Sequence, residues 1–254
     1  MEWGYKREEI VFKNNGEKIY GVIYTPEDLK GKVPGIIFSH GFNGNNESGT
    51  FYAKTLAKKG YAVCCFDFRG GSCNSKSEGS SLNMSIFTEK SDLKVVIEML
   101  QDFEFIDSNN IFLIGESQGG LVSAIIAAEN KEIIRGMILI YPALCIVEDA
   151  KKRHENIENV PESEELMGLR IGQEYYKNLF DFNIYENILG YDKEVLIIHG
   201  DKDELVNISY SVEAVKKYKK AELSIIKDAG HGFCNGSEKE AVKHMINYME
   251  KHKN

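Results

Sequence analysis

The sequence predicts an α/β protein with a mostly parallel sheet that carries helices on both faces. Short, fully apolar runs recur along the chain, as in strands that are buried on both faces of a parallel sheet. Between them lie amphipathic stretches of helical length, with apolar residues three and four positions apart. Strands and helices therefore alternate, and in such sheets the loops at the carboxyl ends of the strands form the functional site.

The chain opens with a predicted antiparallel hairpin. Residues 9–13 and 18–25 are rich in β-forming side chains and flank an Asn-Gly turn at Asn15-Gly16. The apolar runs that follow predict strands at residues 35–39, 62–66, 110–114, 137–141, 195–199 and 223–226. The predicted helices occupy residues 48–59, 88–102, 118–129, 209–218 and 238–251.

One stretch interrupts this alternation. Residues 143–190 contain no buried-strand run, and their ten acidic and five basic side chains give a net charge of -5, most of the -8 of the whole chain. We interpret the stretch as a helical, polar insertion between two strands of one core made of residues 1–142 and 191–254. The chain has no internal repeats or flexible linkers that would indicate separate domains.

Composition and charge exclude several classes of protein. The 254 residues are 43% hydrophobic, which is enough for a sizeable core. Because 39 acidic residues outnumber 31 basic ones, the surface should repel nucleic acids and anionic membrane faces. The five cysteines have no CxxC spacing and are interpreted as reduced thiols.

The sequence also bears on location. The first residues lack the apolar segment of a signal peptide, and the longest apolar run, residues 137–147, is too short to cross a bilayer and contains Pro142. We therefore expect a cytoplasmic protein without integral membrane association.

A catalytic nucleophile is indicated at Ser117. The pentapeptide Gly115-Glu116-Ser117-Gln118-Gly119 has the form G-x-S-x-G, follows the apolar run 111–114 and precedes a helical stretch. This strand, sharp turn and helix are what a nucleophile elbow requires. A glycine-rich turn with an incidental serine is the alternative.

A serine hydroxyl needs a base and an orienting carboxylate, which follow it in the chain order Ser, Asp, His in proteins with such an elbow. Asp203 lies just after the predicted strand 195–199, and His231 lies between two glycines after the strand 223–226. We assign His231 as the general base and Asp203 as the residue that orients it. Asp201 is interpreted as a turn residue that bonds backbone N–H groups.

Acyl transfer also requires donors for the oxyanion of the tetrahedral intermediate. The N–H of Gln118, which follows the nucleophile, is the first candidate. The second is the N–H of Phe42, in a loop where Gly41 permits a bend after the strand 35–39. His40 in that loop is interpreted as a structural histidine.

These motifs, HGF, GESQGG, HGDKDELV and AGHGF, together resemble the α/β-hydrolase superfamily. The resemblance is to bacterial serine esterases that include feruloyl (cinnamoyl) esterases, and to monoacylglycerol lipases and serine aminopeptidases. It implies an α/β-hydrolase fold with an eight-stranded sheet, a cap or lid after the sixth strand at residues 143–190, and a triad of Ser117, Asp203 and His231. It also implies oxyanion donors at Phe42 and Gln118.

The resemblance implies two further candidates in the cap and shows two departures. By position, Asp149 and Tyr175 match cap residues that bind the phenolic end of the acyl group, although a surface acid and a packed aromatic are the alternative. The stretch Asp67 to Ser72 lacks the histidine of many relatives, and Glu116 stands where relatives often have His. The acidic cap is expected to disfavour anionic substrates.

The predicted function is therefore that of a serine hydrolase acting on a small-molecule carboxylic ester. The alternatives are a small peptidase, a thioesterase, and a ligand-binding protein of the same fold without turnover. No metal-ligand or nucleotide-binding spacing occurs in the chain, so no cofactor is expected. The sequence leaves the oligomeric state open between a monomer and a homodimer.

Overall fold

An eight-stranded sheet organises the computed structural model, which describes residues 4–252. Its strands are β1 (Tyr5–Asn14), β2 (Glu17–Pro26), β3 (Val33–Ser39), β4 (Ala62–Phe66), β5 (Ile106–Glu116), β6 (Ile134–Ile140), β9 (Val195–Gly200) and β10 (Ala221–Ile226). Their order across the sheet is β1-β2-β4-β3-β5-β6-β9-β10.

The first two strands form the predicted antiparallel hairpin. Its turn residues Asn15 and Gly16 have φ values of 51° and 86°, a left-handed backbone that Asn and Gly tolerate best. Strand β2 also pairs antiparallel with β4, whereas every other pairing in this sheet is parallel. The predicted fold class, with its mostly parallel eight-stranded sheet and antiparallel start, is confirmed.

Helices cover both faces of the sheet. They are α1 (Thr50–Ala57), α2 (Ile86–Gln101), α3 (Ser117–Glu129), α4 (Ile146–His154), α5 (Ile184–Ile188), α6 (Ser209–Lys217) and α7 (Ser237–His252). Alternate strand residues enter two separate cores: Ile37 packs in the core of α2 and α3, and Ile36 and Phe38 pack in the core of α1 and α7. This alternation follows from the two-residue repeat of a strand.

Residues 143–190, between β6 and β9, are only partly helical. They contain α4 and α5, but also a small hairpin of β7 (Ser163–Leu166) and β8 (Leu169–Gly172). The hairpin turns at Met167 and Gly168, which have φ values of 46° and 79°. The expectation of a helical insertion missed this hairpin because four-residue strands with the sequence SEEL and LRIG lack an apolar run.

Two further sequence expectations concern cysteines and membranes. All five cysteines are free thiols, and Cys64 and Cys65 are buried in β4. Within residues 4–252, no helix combines the length and the apolar character needed to cross a bilayer.

Candidate active site

Ser117 lies at a sharp turn between β5 and α3. Its φ of 50° places a non-glycine residue in the left-handed region, a strained conformation that persists only where surrounding structure enforces it. A Cβ on Gly115 would lie 2.3 Å from the Gly119 carbonyl oxygen, and one on Gly119 would lie 2.3 Å from that of His40. Both glycines are therefore required for β5, α3 and the loop after β3 to meet at the serine.

Ser117, His231 and Asp203 form one hydrogen-bonded chain. His231 Nε2 lies 3.0 Å from Ser117 Oγ, and His231 Nδ1 lies 2.8 Å from Asp203 Oδ2. A proton on Nδ1 that donates to the carboxylate leaves Nε2 free to accept the serine proton. The structure thus brings together three residues that the sequence separates by 114 and 28 positions.

Asp203 is held as a carboxylate. Its Oδ1 accepts hydrogen bonds from the N–H groups of Leu205 and Val206, at 3.0 and 2.8 Å. Burial alone would raise the pKa of Asp203, but hydrogen bonds from His199, His231 and the Val206 N–H outweigh it and hold that pKa well below its usual value. A permanent negative charge therefore faces His231.

The neighbouring acid Asp201 has a different environment. It is exposed, and its Oδ1 accepts a 2.7 Å hydrogen bond from the N–H of Asp228 in the loop after β10. This backbone contact agrees with its interpretation as a turn residue.

His199, near the end of β9, is a functional candidate that the sequence analysis missed. Its side chain is fully buried, its Nδ1 lies 2.7 Å from Ser211 Oγ, and its Nε2 lies 2.9 Å from the Val206 carbonyl oxygen. The same Nε2 is 3.2 Å from Asp203 Oδ2. The sequence feature that could have identified His199 is its position in HGDKD, four residues before Asp203.

The loop after β3 lies directly against the serine. A Cβ on Gly41 would be 3.1 Å from Ser117 Cβ. Phe42 borders the cavity beside Ser117, and among residues 4–252 its N–H has no hydrogen-bond acceptor. Gln118 borders the same cavity from the first turn of α3, where backbone N–H groups have no acceptor within the helix. Two backbone N–H groups, those of Phe42 and Gln118, thus lie beside Ser117 without an acceptor in the loop or the helix.

His40 supports this loop. It is buried, its Nδ1–H donates to the Gly41 carbonyl oxygen at 2.7 Å, and its Nε2 accepts the Phe68 N–H at 3.0 Å. Burial lowers the pKa of His40, which favours the neutral ring that these partners require. The geometry matches the structural role expected for it.

Residues 67–72, the loop without the histidine of many relatives, line neither of the two cavities that lie beside Ser117 and are described below. Instead they brace Asn43, the neighbour of Phe42. The Asn43 N–H donates to the Gly71 carbonyl oxygen at 3.1 Å, and Ser72 Oγ donates to the Asn43 carbonyl oxygen at 3.2 Å.

The main cavity beside Ser117 has a volume of about 560 Å³ and lies under residues 143–190. Its apolar wall consists of Phe42, Ala143, Cys145, Ile146, Ala150, Leu166, Met167, Tyr175, Tyr176, Leu205 and Val206. The tip of the β7–β8 hairpin closes one side, and Asn43 Nδ2 donates to the Met167 carbonyl oxygen at 3.2 Å. This contact joins the β7–β8 hairpin to the loop that carries Phe42.

Both cap candidates border this cavity. Tyr175 is buried, and its hydroxyl donates a 2.7 Å hydrogen bond to Gln118 Oε1. Asp149 is more open and lies 3.7 Å from the ammonium of Lys152. The charged residues of the wall are Asp149, Lys152 and Arg153, so the net acidity of the cap does not face the cavity. The expectation that the cap repels anionic substrates from the site is therefore not supported by the geometry.

A second cavity, of about 410 Å³, lies on the other side of Ser117. It shares Phe42, Ser117, Met167 and Leu205 with the main cavity, and His231 borders only this second one. Its other lining residues are Gly41, Asn43, Gly44, Ser48, Phe51, Tyr52, Glu116, Tyr141, Gly232, Phe233 and Glu238. The serine therefore stands between two separate recesses.

A sequence model of the prolyl oligopeptidase family matches residues 48–254, which include Ser117, Asp203 and His231. The chain belongs to the prolyl oligopeptidase family. Within residues 4–252, no three His, Cys, Asp or Glu side chains group so that they could hold a metal ion.

Relatives of this prolyl oligopeptidase family member include both peptidases and lipases. Dipeptidyl peptidase 8 of Mus musculus is 26% identical over 92% of the chain, but the chain spans only 27% of that protein. Monoacylglycerol lipase abhd6-B of Xenopus laevis is 20% identical over 97% of the chain and 85% of its own length.

Among solved structures, Est1E from Butyrivibrio proteoclasticus with bound ferulic acid superposes with a TM-score of 0.86 and 28% identity. The match covers 95% of this chain and 99% of Est1E. The α/β hydrolase GrgF from a Penicillium species, with a TM-score of 0.79 and 16% identity, shares the fold. The superfamily inferred from the sequence motifs is confirmed.

Proposed function

We propose that the protein is a serine hydrolase that cleaves carboxylic esters through an acyl-enzyme. The observation that carries the proposal is the hydrogen-bonded chain of Ser117, His231 and Asp203 beside two free backbone donors. Ser117 Oγ attacks the ester carbonyl while His231 Nε2 takes the hydroxyl proton. Asp203 orients the ring and stabilises the imidazolium that forms.

The remaining steps use the same groups. The N–H groups of Phe42 and Gln118 bind the oxyanion of the tetrahedral intermediate. The bond to the alcohol oxygen then breaks, and His231 returns the proton to that oxygen. A water molecule, deprotonated by His231, attacks the acyl-enzyme, and the acid leaves as Ser117 regains its proton.

The acyl group is proposed to occupy the main cavity. This cavity has a largely apolar wall and borders Gln118, one of the two oxyanion donors. Est1E, which matches nearly the whole chain, binds ferulic acid, an aromatic carboxylic acid. We therefore favour apolar or aromatic acyl groups, with Tyr175 and Asp149 as polar residues of the cavity that receives the acyl group.

Amide cleavage is the second candidate, and the family match favours it. The same serine, histidine and oxyanion donors act on amides, and a dipeptidyl peptidase is among the relatives. The ester is preferred because Est1E matches over 95% of this chain and 99% of its own, whereas the chain covers only 27% of the peptidase.

Labelling with a fluorophosphonate, read by intact mass, tests the nucleophile. The wild-type protein should gain one adduct, and Ser117→Ala should gain none, whereas an adduct that persists in the variant would refute the assignment. Matched ester, thioester and aminoacyl-amide substrates with short, long and hydroxycinnamoyl acyl groups then separate the esterase from the peptidase and the thioesterase. Tight ligand binding without turnover would favour the non-enzymatic alternative.

A further inference from the structure

We propose that the second cavity at Ser117 is a leaving-group site that selects alcohols carrying a positive charge, such as a quaternary ammonium. The proposal rests on the serine hydrolase function proposed above and names the class of alcohol that this site takes.

The position of His231 identifies the side on which the alcohol leaves. In the proposed reaction the imidazole returns its proton to the leaving oxygen, so that oxygen must lie within hydrogen-bond reach of His231. His231 borders the second cavity and not the main one, while Gln118 borders only the main one. The alcohol therefore departs into the second cavity as the acyl group stays in the main cavity.

The charged residues of the second cavity are acidic. Glu116 and Glu238 both border it, and of the residues between 4 and 252 that form its wall, none is lysine or arginine. The two cavities thus differ in charge, because Lys152 and Arg153 border the main cavity. An alcohol with a positive charge is attracted to the carboxylates, and one with a negative charge is repelled.

Glu116 is arranged as an acceptor. Its Oε1 accepts the Gly41 N–H and its Oε2 accepts the Tyr141 hydroxyl, both at 3.3 Å. Burial raises the pKa of Glu116, and these two donors oppose the rise because they stabilise the charged form. Glu238 enters from the start of α7, and its Oε2 accepts the Gly236 N–H at 2.8 Å.

The wall around these carboxylates is aromatic. Phe51 and Tyr52 lie with ring centroids 5.6 Å apart, and Tyr141 and Phe233 lie 4.9 Å apart. Burial is the main cause that raises the pKa of Tyr52, and the charges of Glu116 and Glu238 raise it further. The phenol of Tyr52 therefore lies in the electric field of both carboxylates. Aromatic walls combined with negative charge are the environment in which proteins bind quaternary ammonium groups.

The test uses three esters of the acyl group that the protein hydrolyses fastest. Their alcohols are choline, the neutral isostere 3,3-dimethylbutanol, and the anionic glycolic acid. At about pH 8, kcat/KM for the choline ester should exceed that for the neutral ester roughly tenfold, with the glycolate ester slowest. A ratio of one or less would overturn the proposal, as would cleavage of the neutral ester alone.

Two variants test whether Glu116 and Glu238 cause the preference for the choline ester. Glu116→Gln and Glu238→Gln should each lower the ratio of choline to neutral ester several-fold, whatever happens to the absolute rates. Glu240→Gln makes the same charge change on an exposed position of α7 that does not border the cavity, and it should leave the ratio unchanged. Equal ratios in all three variants and the wild type would show that the carboxylates do not select the alcohol.

The outcomes also separate this proposal from the one on which it rests. If Ser117 takes up no fluorophosphonate and no ester is cleaved, the hydrolase proposal fails and the leaving-group site falls with it. If esters are cleaved at Ser117 without preference for the cationic alcohol, only the leaving-group site is refuted.

Discussion

His199 Nε2 lies 3.2 Å from Asp203 Oδ2, the same carboxylate oxygen that bonds His231 Nδ1. Because the Val206 carbonyl oxygen, 2.9 Å away, can only accept, the proton of the His199 ring is on Nε2 and is shared between that carbonyl and Asp203. The second histidine thus fixes the carboxylate that orients the first. We infer that His199 is a positioning residue for the triad.

Replacing this histidine should therefore slow the chemical step. His199→Asn removes the ring that holds Asp203, and we expect kcat to fall roughly tenfold or more with little change in KM, because substrate contacts remain. The downfield proton resonance of His231 Nδ1–H should shift or broaden. Steady-state kinetics and one-dimensional proton NMR provide the measurements.

Ser211→Ala is the matched control, since it removes only the partner of His199 Nδ1 and leaves the Nε2 contacts. It should reduce kcat less than His199→Asn. A His199→Asn protein with lower thermal stability but an unchanged kcat and resonance would show that His199 is merely structural.

The loop that carries Gly41 and Phe42 leads to a second prediction. A Cβ on Gly41 would lie 3.1 Å from Ser117 Cβ, so Gly41→Ala must push the loop with Phe42 away from the serine by a few tenths of an ångström. The displacement should lower kcat about tenfold to a hundredfold, because a donor contributes fully only when it meets the oxyanion at hydrogen-bond distance. Kinetics on the best ester and thermal unfolding should be compared for both proteins.

Gly190→Ala is a suitable reference for Gly41→Ala, because a Cβ on Gly190 would lie 3.5 Å from its nearest heavy atom, an ordinary van der Waals distance. It should leave kcat and the melting temperature close to those of the wild type. Full activity in Gly41→Ala would contradict a role for this loop in binding the oxyanion.

Much of the site could be predicted because local patterns determine it. The apolar run before Ser117 and the glycines around it encode the elbow, and the chain order of Asp203 and His231 identifies the other two residues. His199 was not predicted because it lies within an apolar strand. The direction of its side chain depends on how β9 pairs with β6 and β10, and that pairing exists only in the folded sheet.

The cap was harder to predict for a related reason. Tyr175 bonds Gln118, a residue 57 positions earlier, and no local pattern encodes that contact. Likewise, the net charge of residues 143–190 does not say which side chains face the cavity. Lys152 and Arg153 line the main cavity, whereas Glu158 and Glu186 do not.

A third prediction concerns Glu89, which is buried in α2 close to Gln118. Burial raises its pKa to about 8 against the opposing effect of Gln118, and its Oε2 has no hydrogen-bond partner among the described residues. A carboxyl whose pKa is higher in the folded than in the unfolded state destabilises the fold progressively as the pH rises between those two values. The wild-type protein should therefore lose stability between about pH 5 and pH 8.

Glu89→Gln removes this titration. Near pH 5 the variant and the wild type should be similarly stable, whereas near pH 8 the variant should be more stable by on the order of 1–3 kcal/mol. Urea unfolding at several pH values measures the difference. Glu98→Gln, at an exposed position of the same helix, should show no such trend. A stability gap for Glu89→Gln that does not change with pH would refute the prediction.

The last prediction concerns the ion pair that joins the N-terminal hairpin to the rest of the core. Arg69 donates through Nε to Asp92 Oδ1 at 2.7 Å and through its backbone N–H to Oδ2 at 2.9 Å, and its guanidinium also bonds Glu17 and the Asn14 carbonyl oxygen. The Asp92 side chain is fully buried and that of Arg69 is 10% exposed. Arg69→Met leaves a buried carboxylate without its cation, which should lower the free energy of unfolding by about 3–5 kcal/mol.

A double-mutant cycle isolates this effect. Arg69→Met/Asp92→Asn removes the buried charge together with its partner, so it should cost less than the single Arg69→Met change. Asn at position 92 can still accept the Asn14 side-chain amide, which also bonds Asp92. Urea unfolding of the four proteins gives the coupling free energy. If the double variant is as unstable as the sum of the two single variants, Arg69 stabilises the hairpin through Glu17 and Asn14 rather than through Asp92.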